Sequence, residues 1–228
     1  MPATDETDHT DAPDTATSTK KATESSNPAP AFVPLTEEQF QAIHIMPPTP
    51  LNGPVVITAY DPAWPALYAR EAARIRAALG ERALLLEHAG STSVPGLAAK
   101  PRIDIVLVVP NSADEAAYVP PLEAAGYVLH IREPDWYEHR LFKGPDTDIN
   151  LHVFSPGCSE VEHMLCFRDW LRSHPEERDL YERTKRELAR REWKYTQDYA
   201  DAKTEVVRAI LARAAKSDGG ESGNGAGE

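Results

Sequence analysis

Residues 88–109 read HAGSTSVPGLAAKPRIDIVLVV. A Gly-Ser turn, a Thr-Ser pair and a Pro-Gly break lead into an apolar strand that carries one acid, Asp104. Side chains alternate between the faces of a strand, so Ile103, Ile105 and Leu107 point one way and Asp104, Val106 and Val108 the other. A carboxylate among apolar neighbours is costly unless it is paired, hydrogen-bonded or metal-bound. Gly90 permits positive φ and close backbone approach. A short helix opening at Thr92 or Ser93 would aim free N–H groups at one point, which favours phosphate. Each half has a plainer reading. Gly90-Ser91 alone fits an ordinary strand-to-helix turn, and Asp104 alone fits a partly exposed strand end paired with Arg102 or Lys100. Together they stand at opposite ends of one connection and can share a site, and this is the reading carried forward.

Working outward, GPVVITAY (53–60) is β-branched and predicts a strand. Asp61 suits an N-cap and Pro62 the first position of a helix. That helix carries Tyr68, Ala72, Ile75 and Leu79 on one stripe and stops at Gly80. Strands are expected at 83–89 and 102–109. Ser112 with Glu115 forms a capping box, and Pro120-Pro121 should kink or split the helix it opens before Gly126. Three strands follow at 127–133, 138–143 and 149–155. A second capping box, Ser159 with Glu162, opens a helical region to about 215, broken at His174-Pro175 and again near Trp193. Strands first and helices last predict an α+β sheet with an appended helical layer.

Composition sets the limits of this domain. Residues 1–31 lack large apolar side chains and are expected to be a disordered acidic tail, as is the Gly/Ser/Glu stretch 216–228. Residues 32–51 read as an N-terminal arm and 52–215 as one domain. Of the net charge of −12, residues 1–31 carry −4 and 216–228 carry −2, leaving about −6 between them. That argues against a broad basic face coating nucleic acid, though not against a small basic pocket. Two cysteines make no disulfide framework. With no basic region followed by an apolar core at the start and no run of ~18 apolar residues, a soluble, cytoplasmic protein is expected.

Other polar side chains fall near the same point. Asp148, Asn150 and His152 alternate, so they share a face if the strand reaches back that far, with Ile149, Leu151 and Val153 opposite. An ordinary solvated face explains Asn150 well; a mid-strand His152 fits a ligand role better. Glu138, Arg140 and Phe142 share one face of their strand and His139, Leu141 and Lys143 the other. Arg140, Lys143 and Lys100 are candidate phosphate-binding bases, while strand-edge bases also guard against edge pairing. His88 reads as a hydrogen-bonded structural residue. Cys158, His163 and Cys166 lack a fourth ligand for zinc. The charges of FRDWLRSHPEERDLYERTKRELA read as a solvated helical face; Tyr195, Tyr199 and Lys203, at i, i+4 and i+8, are spaced to line a pocket, and a packed stripe is the favoured reading.

In order along the chain, YDPAWPALY, EHAGSTSVPGLAAKPRIDIVLVV, NLHVF, FRDWLRSHPEERDLYERTKRELA and YTQDYADAKTEVV resemble the GrpB family over about residues 53–210. That family looks like a branch of the polymerase β-type nucleotidyltransferase superfamily. The resemblance implies a nucleotidyltransferase-like mixed β-sheet with flanking helices, a Gly-Ser turn that holds nucleotide phosphates, and acids that hold magnesium. Carried over by position, Gly90 and Ser91 fill the turn, joined by Thr92 and Ser93, and Asp104 is the first acid. The second acid falls on Val106. The third falls near Asn150 or His152, with Asp148 the nearest carboxylate. Some relatives are fused to dephospho-CoA kinase. The implied activity is binding of a nucleotide or phosphorylated small molecule, and nucleotidyl transfer with one Mg2+ ion. Asp104, His152 and Asp148 would be the metal ligands, and His152 a ligand or a base. The alternative is a non-catalytic ligand-binding or protein-interaction module on the same fold.

Overall fold

The computed structural model describes residues 34–48, 50–51 and 53–220. Among these residues five strands form one sheet: β1 (Leu85–Ala89), β2 (Ile103–Val108), β3 (Val128–Glu133), β4 (His139–Lys143) and β5 (Ile149–Phe154). Their order is β1-β2-β5-β4-β3. β2 and β5 run parallel and the remaining neighbours antiparallel, so the sheet is mixed. The helices are α1 (Glu37–Ile43), α2 (Trp64–Leu79), α3 (Glu115–Ala124), α4 (Ser159–Ser173), α5 (Pro175–Ala189), α6 (Thr196–Asp201) and α7 (Thr204–Gly220). The fold is α+β, as expected.

Alternation along β2 and β5 builds two faces. Ile103, Ile105, Leu107, Ile149, Leu151 and Val153 enter one core with Ala72, Ile75 and Leu79 of α2 and Leu122 of α3. Val106, Val108, Phe154 and Ala89 meet Val161 of α4 on the other face. Leu107 and Leu151 are fully enclosed in the first core; truncating either to Ala would cost roughly 2–5 kcal/mol. The register sets Asp104 opposite Ala89 on one side and Asn150 on the other, with Val106 beside His152. The acid end of β2 therefore lies beside the Gly90 turn and the start of β5.

Several local expectations are corrected. Residues 53–60 form no strand; they make one bridge, in which Thr58 and Ala99 exchange backbone hydrogen bonds of 2.9 Å. Their partner is a loop, so pairing does not propagate, and Val55 instead packs against Leu188 and Tyr199. Asp61 does not cap α2, which begins at Trp64; its carboxylate accepts from Ala63 N at 2.8 Å in a turn ahead of the helix. Neither expected capping box forms. Ser112 is buried against Ser155 and its carbonyl accepts from Tyr118, while Glu115 is drawn to Arg132 and Arg140. Ser159 is the first residue of α4 and its hydroxyl meets Tyr137. α3 runs unbroken through Pro120 and Pro121, held by the buried Tyr118 and Leu122. The last helical stretch divides at Ala202-Lys203 into α6 and α7. α7 continues to Gly220, into the segment expected as a tail from 216. The arm contains α1, with Phe40 buried against Tyr195. The expected tail 1–31 and residues 221–228 lie outside the described residues. Among the described residues no helix is long and apolar enough to cross a membrane.

Candidate phosphate-binding site

Gly90 has φ 63 and ψ −174, and the backbone of the turn lies directly on the Asp104 side chain. A Cβ at position 90 would overlap Asp104 Oδ2 and approach its Cβ to 2.9 Å. Two requirements thus meet in one glycine: a backbone conformation that L side chains avoid and a contact that leaves no room for one. The turn continues as a single 3₁₀ turn, Ser91–Ser93. The turn and the acid are together, as the sequence suggested.

Asp104 is the centre of a polar cluster on the α4 face of the sheet. Its Oδ1 accepts from Asn150 Nδ2 at 2.8 Å, and the Asn150 carbonyl oxygen accepts from Lys143 Nζ. His152 Nε2 lies 3.8 Å from the same Oδ1. Burial works to raise the Asp104 pKa, but the His152 imidazole, the Asn150 amide and Lys203 outweigh it and hold the carboxyl below its ordinary range. About a quarter of the side chain remains exposed, 27%, so a ligand can reach it. Lys100, Lys143 and Lys203 all feel the field of Asp104, and burial lowers the pKa of each, to about 8 for Lys100 and Lys143. Lys203 sits over the Tyr199 ring, 4.7 Å from its centroid. The electrostatic arrangement is several partly desolvated ammonium groups around one deep carboxylate.

The helical layer holds the turn in place. Arg172 donates from Nε and Nη2 to the Ser93 carbonyl at 3.1 and 2.8 Å. Arg168 donates to the His88 carbonyl at 3.0 Å and to Glu87 at 2.8 Å. From α5, Glu182 accepts the Ala98 N–H at 3.0 Å and the buried Lys185 ammonium donates to the Ala98 carbonyl. Burial brings Lys185 down to about 7. These helical charges, read from sequence as solvated, grip the loop from Ser93 to Ala98.

The other expected site residues divide. Gly90, Asp104 and His152 come together, with Lys143 joined through Asn150 and Lys100 within the field of Asp104, while the Ser91 side chain is engaged by Tyr181. Thr92 and Ser93 have their hydroxyls engaged internally: Thr92 donates to the Arg102 carbonyl at 3.2 Å and faces His88 Nε2 at 3.0 Å, and Ser93 donates to the Gly90 carbonyl at 2.6 Å. They shape the turn and do not offer those hydroxyls to a ligand. Arg140 belongs to the opposite face of the sheet, where it is nearly buried and donates to Glu115 at 2.5 Å. Its place on β4 alternates with Lys143 across an odd step, so only Lys143 faces Asp104. Asp148 is more than half exposed and is bound by Arg102 Nε at 2.7 Å. His139, Asn150, Glu133, Lys203 and Lys185 were not singled out as site residues. The parity of Asn150 with His152 on β5, and of His139 with Lys143 on β4, hinted at two of them.

These donors do not fit a two-ion magnesium centre. Such a centre needs oxygen ligands bridging the ions, whereas Val106 stands in the second acid position, Asp148 is committed to Arg102, and Asp104 Oδ1 already accepts from Asn150. Among the described residues no group of three His, Cys, Asp or Glu side chains is placed to hold a metal ion, Cys158, His163 and Cys166 included. A shallow cavity of about 60 Å3 lined by Arg82, Val109, Asn111 and Tyr118 lies at the other end of β2 and is unrelated to this cluster.

A five-stranded mixed sheet with flanking helices and a Gly-Ser turn packed on a strand acid defines the protein as an α+β fold with one polar cluster at the acid end of β2. The family model described as GrpB protein matches residues 54–213. The chain belongs to the GrpB family. It is 59% identical over 181 residues to UPF0157 protein BH1888 of Halalkalibacterium halodurans, covering 79% of this chain and 93% of that one. The crystal structure of conserved protein GrpB from Enterococcus faecalis superposes with a TM-score of 0.60 at 30% identity, covering 71% of this chain and 98% of that chain. A protein named dephospho-CoA kinase from Mycolicibacterium paratuberculosis is 32% identical over 166 residues, which is 61% of this chain and 41% of that protein.

Proposed function

We propose that the protein binds a nucleotide or phosphorylated small molecule at the Gly90–Asp104 site. The observation that carries this reading is a set of buried ammonium groups within the field of Asp104: Lys143, joined to it through Asn150, with Lys100 and Lys203. Each lysine is made less basic by burial, so an anion that restores an opposite charge gains more here than in bulk water. A phosphate supplies that opposite charge. The backbone of the Gly90-Ser91 turn offers further donors, and similarity to a protein named dephospho-CoA kinase agrees with a phosphorylated ligand.

In this reading lysines supply the positive charge that magnesium supplies elsewhere in the superfamily. Val106 in the second acid position favours binding without two-metal nucleotidyl transfer. The test is a thermal-shift series with AMP, ATP and coenzyme A precursors, with and without Mg2+. Stabilisation grows with ligand concentration over Kd, so weak ligands register at high concentration. The expected result is stabilisation that needs no Mg2+ and is lost in Lys100→Met with Lys203→Met. Stabilisation that requires Mg2+ and vanishes in Asp104→Asn supports a metal-held nucleotide instead. If no phosphorylated compound stabilises the protein, the site reading is wrong.

A further inference from the structure

The turn between β3 and β4 reads PDWYE, residues 134–138. It carries two large aromatic side chains at the surface, Trp136 at 43% exposure and Tyr137 at 44%. Among the described residues, Tyr137 and Glu138 are also the non-glycine residues with positive φ, 53 and 51. Hairpin turns ordinarily give such positions to Gly, Asn or Asp, and a bulky L side chain there is strained. The turn is held against that strain. Trp136 N donates to the Glu133 carbonyl at 3.3 Å and His139 N to the Trp136 carbonyl at 3.0 Å. Arg140 Nη1 donates to the Glu138 carbonyl at 2.9 Å, and the Tyr137 hydroxyl meets Ser159 Oγ, at the start of α4, at 3.0 Å. The chain thus fixes two solvent-exposed rings in one pose.

That pose adjoins the Asp104 cluster. β4 pairs Leu141 with His152, so His139 and Lys143, two residues to either side of Leu141, share the His152 face of the sheet. Trp136 meets His139 at 5.2 Å between centroids and Phe154 at 6.1 Å. His139 in turn stacks on His152, again at 5.2 Å, and His152 Nε2 lies 3.8 Å from Asp104 Oδ1. Trp136 therefore stands two ring contacts from His152. Its aromatic neighbours His139, Phe154 and Tyr137 are inclined to it by 87°, 67° and 71°, so none of them stacks parallel on the indole. Charge separates the two ends of this strip. Lys100, Lys143 and Lys203 lie in the field of Asp104. Residues 133–138 hold Glu133, Asp135 and Glu138 and no Lys or Arg. An anion is drawn to the lysine end and repelled from the Trp136 end. A ligand with a phosphate at one end and an uncharged planar group at the other matches both.

We propose that Trp136, with Tyr137 beside it, is the stacking platform for the base of a nucleoside phosphate whose phosphate is held by the lysines around Asp104. The inference rests on the phosphate reading of the preceding section and narrows it to ligands that carry an aromatic base. Stacking on an indole tolerates any base, because every base has a π face. Trp136 is a specificity residue, since it touches the ligand and no reacting atom. Platform and lysines are separate, so a phosphate without a base engages only the lysine end.

The test is calorimetry on the full-length chain with ligand pairs that differ by the base: AMP against ribose 5-phosphate, and ATP against inorganic triphosphate. AMP and ATP should bind more tightly than their base-free partners. Trp136→Leu keeps an apolar side chain without a ring. It should weaken AMP and ATP by roughly 5- to 150-fold, the range for losing one stacked base, and leave ribose 5-phosphate and triphosphate unchanged. Trp136→Phe should restore most of that affinity. The side chain is exposed, so both variants should fold, which melting curves check. Trp136 is one of four tryptophans, and AMP should quench the part of the fluorescence that Trp136→Phe removes. If AMP and ATP bind no tighter than their base-free partners and Trp136→Leu changes nothing, the platform is overturned and the phosphate site stands. If adenosine quenches Trp136 while ribose 5-phosphate and triphosphate fail to bind, the platform stands and the phosphate reading falls. If neither adenosine nor AMP perturbs Trp136, the proposal is wrong whatever the base-free phosphates do.

Discussion

Gly90 shows how much of a site one residue can determine. Its φ of 63 and the closeness of its backbone to the Asp104 carboxylate act together. Gly90→Ala forces both a strained backbone, on the order of 1–3 kcal/mol, and displacement of the acid. Gly96 is the built-in control: its φ is 80, yet a Cβ there meets nothing within 4 Å. In urea denaturation Gly96→Ala should lose only the backbone strain. Gly90→Ala should lose more, and it alone should abolish AMP stabilisation. Equal losses and retained binding in both would show that the Asp104 contact is unimportant. Two histidines set a second expectation. Burial lowers His88 and His139 to about 4 from an ordinary value of 6.5. The unfolded chain then binds more protons than the folded one between those values. The stability contributed by keeping these rings neutral is fully present above 6.5 and is lost progressively as pH falls toward 4, by on the order of 3 kcal/mol per ring at most. Urea midpoints across that range should fall, and His139→Phe should flatten part of the slope. A variant as acid-sensitive as wild type would remove His139 from that account.

At the scale of elements, the grip of α4 and α5 on the loop is a separable feature. Glu182 accepts the Ala98 N–H at 3.0 Å, and truncating it leaves a partly buried donor unpaired, a loss of roughly 1–3 kcal/mol. Glu182→Ala should therefore destabilise the fold, speed hydrogen exchange at the Ala98 amide, and weaken ligand binding through Lys100 two residues on. Unchanged exchange at Ala98 would show that the loop holds itself. This grip also marks where reading the sequence stops. Asp104 among apolar neighbours and a glycine after a strand are local signals, and both were legible, as was the parity of Asn150 and His152 on β5. Strand order is not local. His139 meets His152 only because β4 lies beside β5, and Asp104 meets Asn150 only because β2 lies on its other side. Arg168, Arg172, Glu182 and Lys185 look like an ordinary charged helical face until the loop is seen beneath them. The capping boxes failed for a related reason: Ser112 and Glu115 have stronger tertiary partners than the helix start they would cap.

For the whole molecule, the proposed site gathers Lys100, Lys143 and Lys203 about Asp104 in a chain of net charge −12. The acids elsewhere act weakly across it, because exposed charges are largely screened beyond about 8 Å at physiological salt. In the proposed reading the local lysines decide affinity, and their lowered pKa values make binding respond to pH. Lys100 and Lys143 have pKa values lowered to about 8 from 10.5, first by burial and then by Arg102. In the free protein both are largely charged at pH 7 and largely neutral at pH 9. AMP is a suitable probe, since a phosphate ester with a second pKa near 6 is already dianionic throughout that range. An anion favours the protonated lysines, so binding draws protons onto them and weakens once they must be taken from more alkaline solvent. Calorimetric Kd values for AMP should rise by roughly tenfold or more from pH 7 to pH 9, with proton uptake on binding larger at pH 9 than at pH 7. Lys100→Met with Lys143→Met should give weak binding that is nearly independent of pH over the same range. Affinity that holds steady or improves toward pH 9 in the wild type would mean that these ammonium groups do not hold the phosphate.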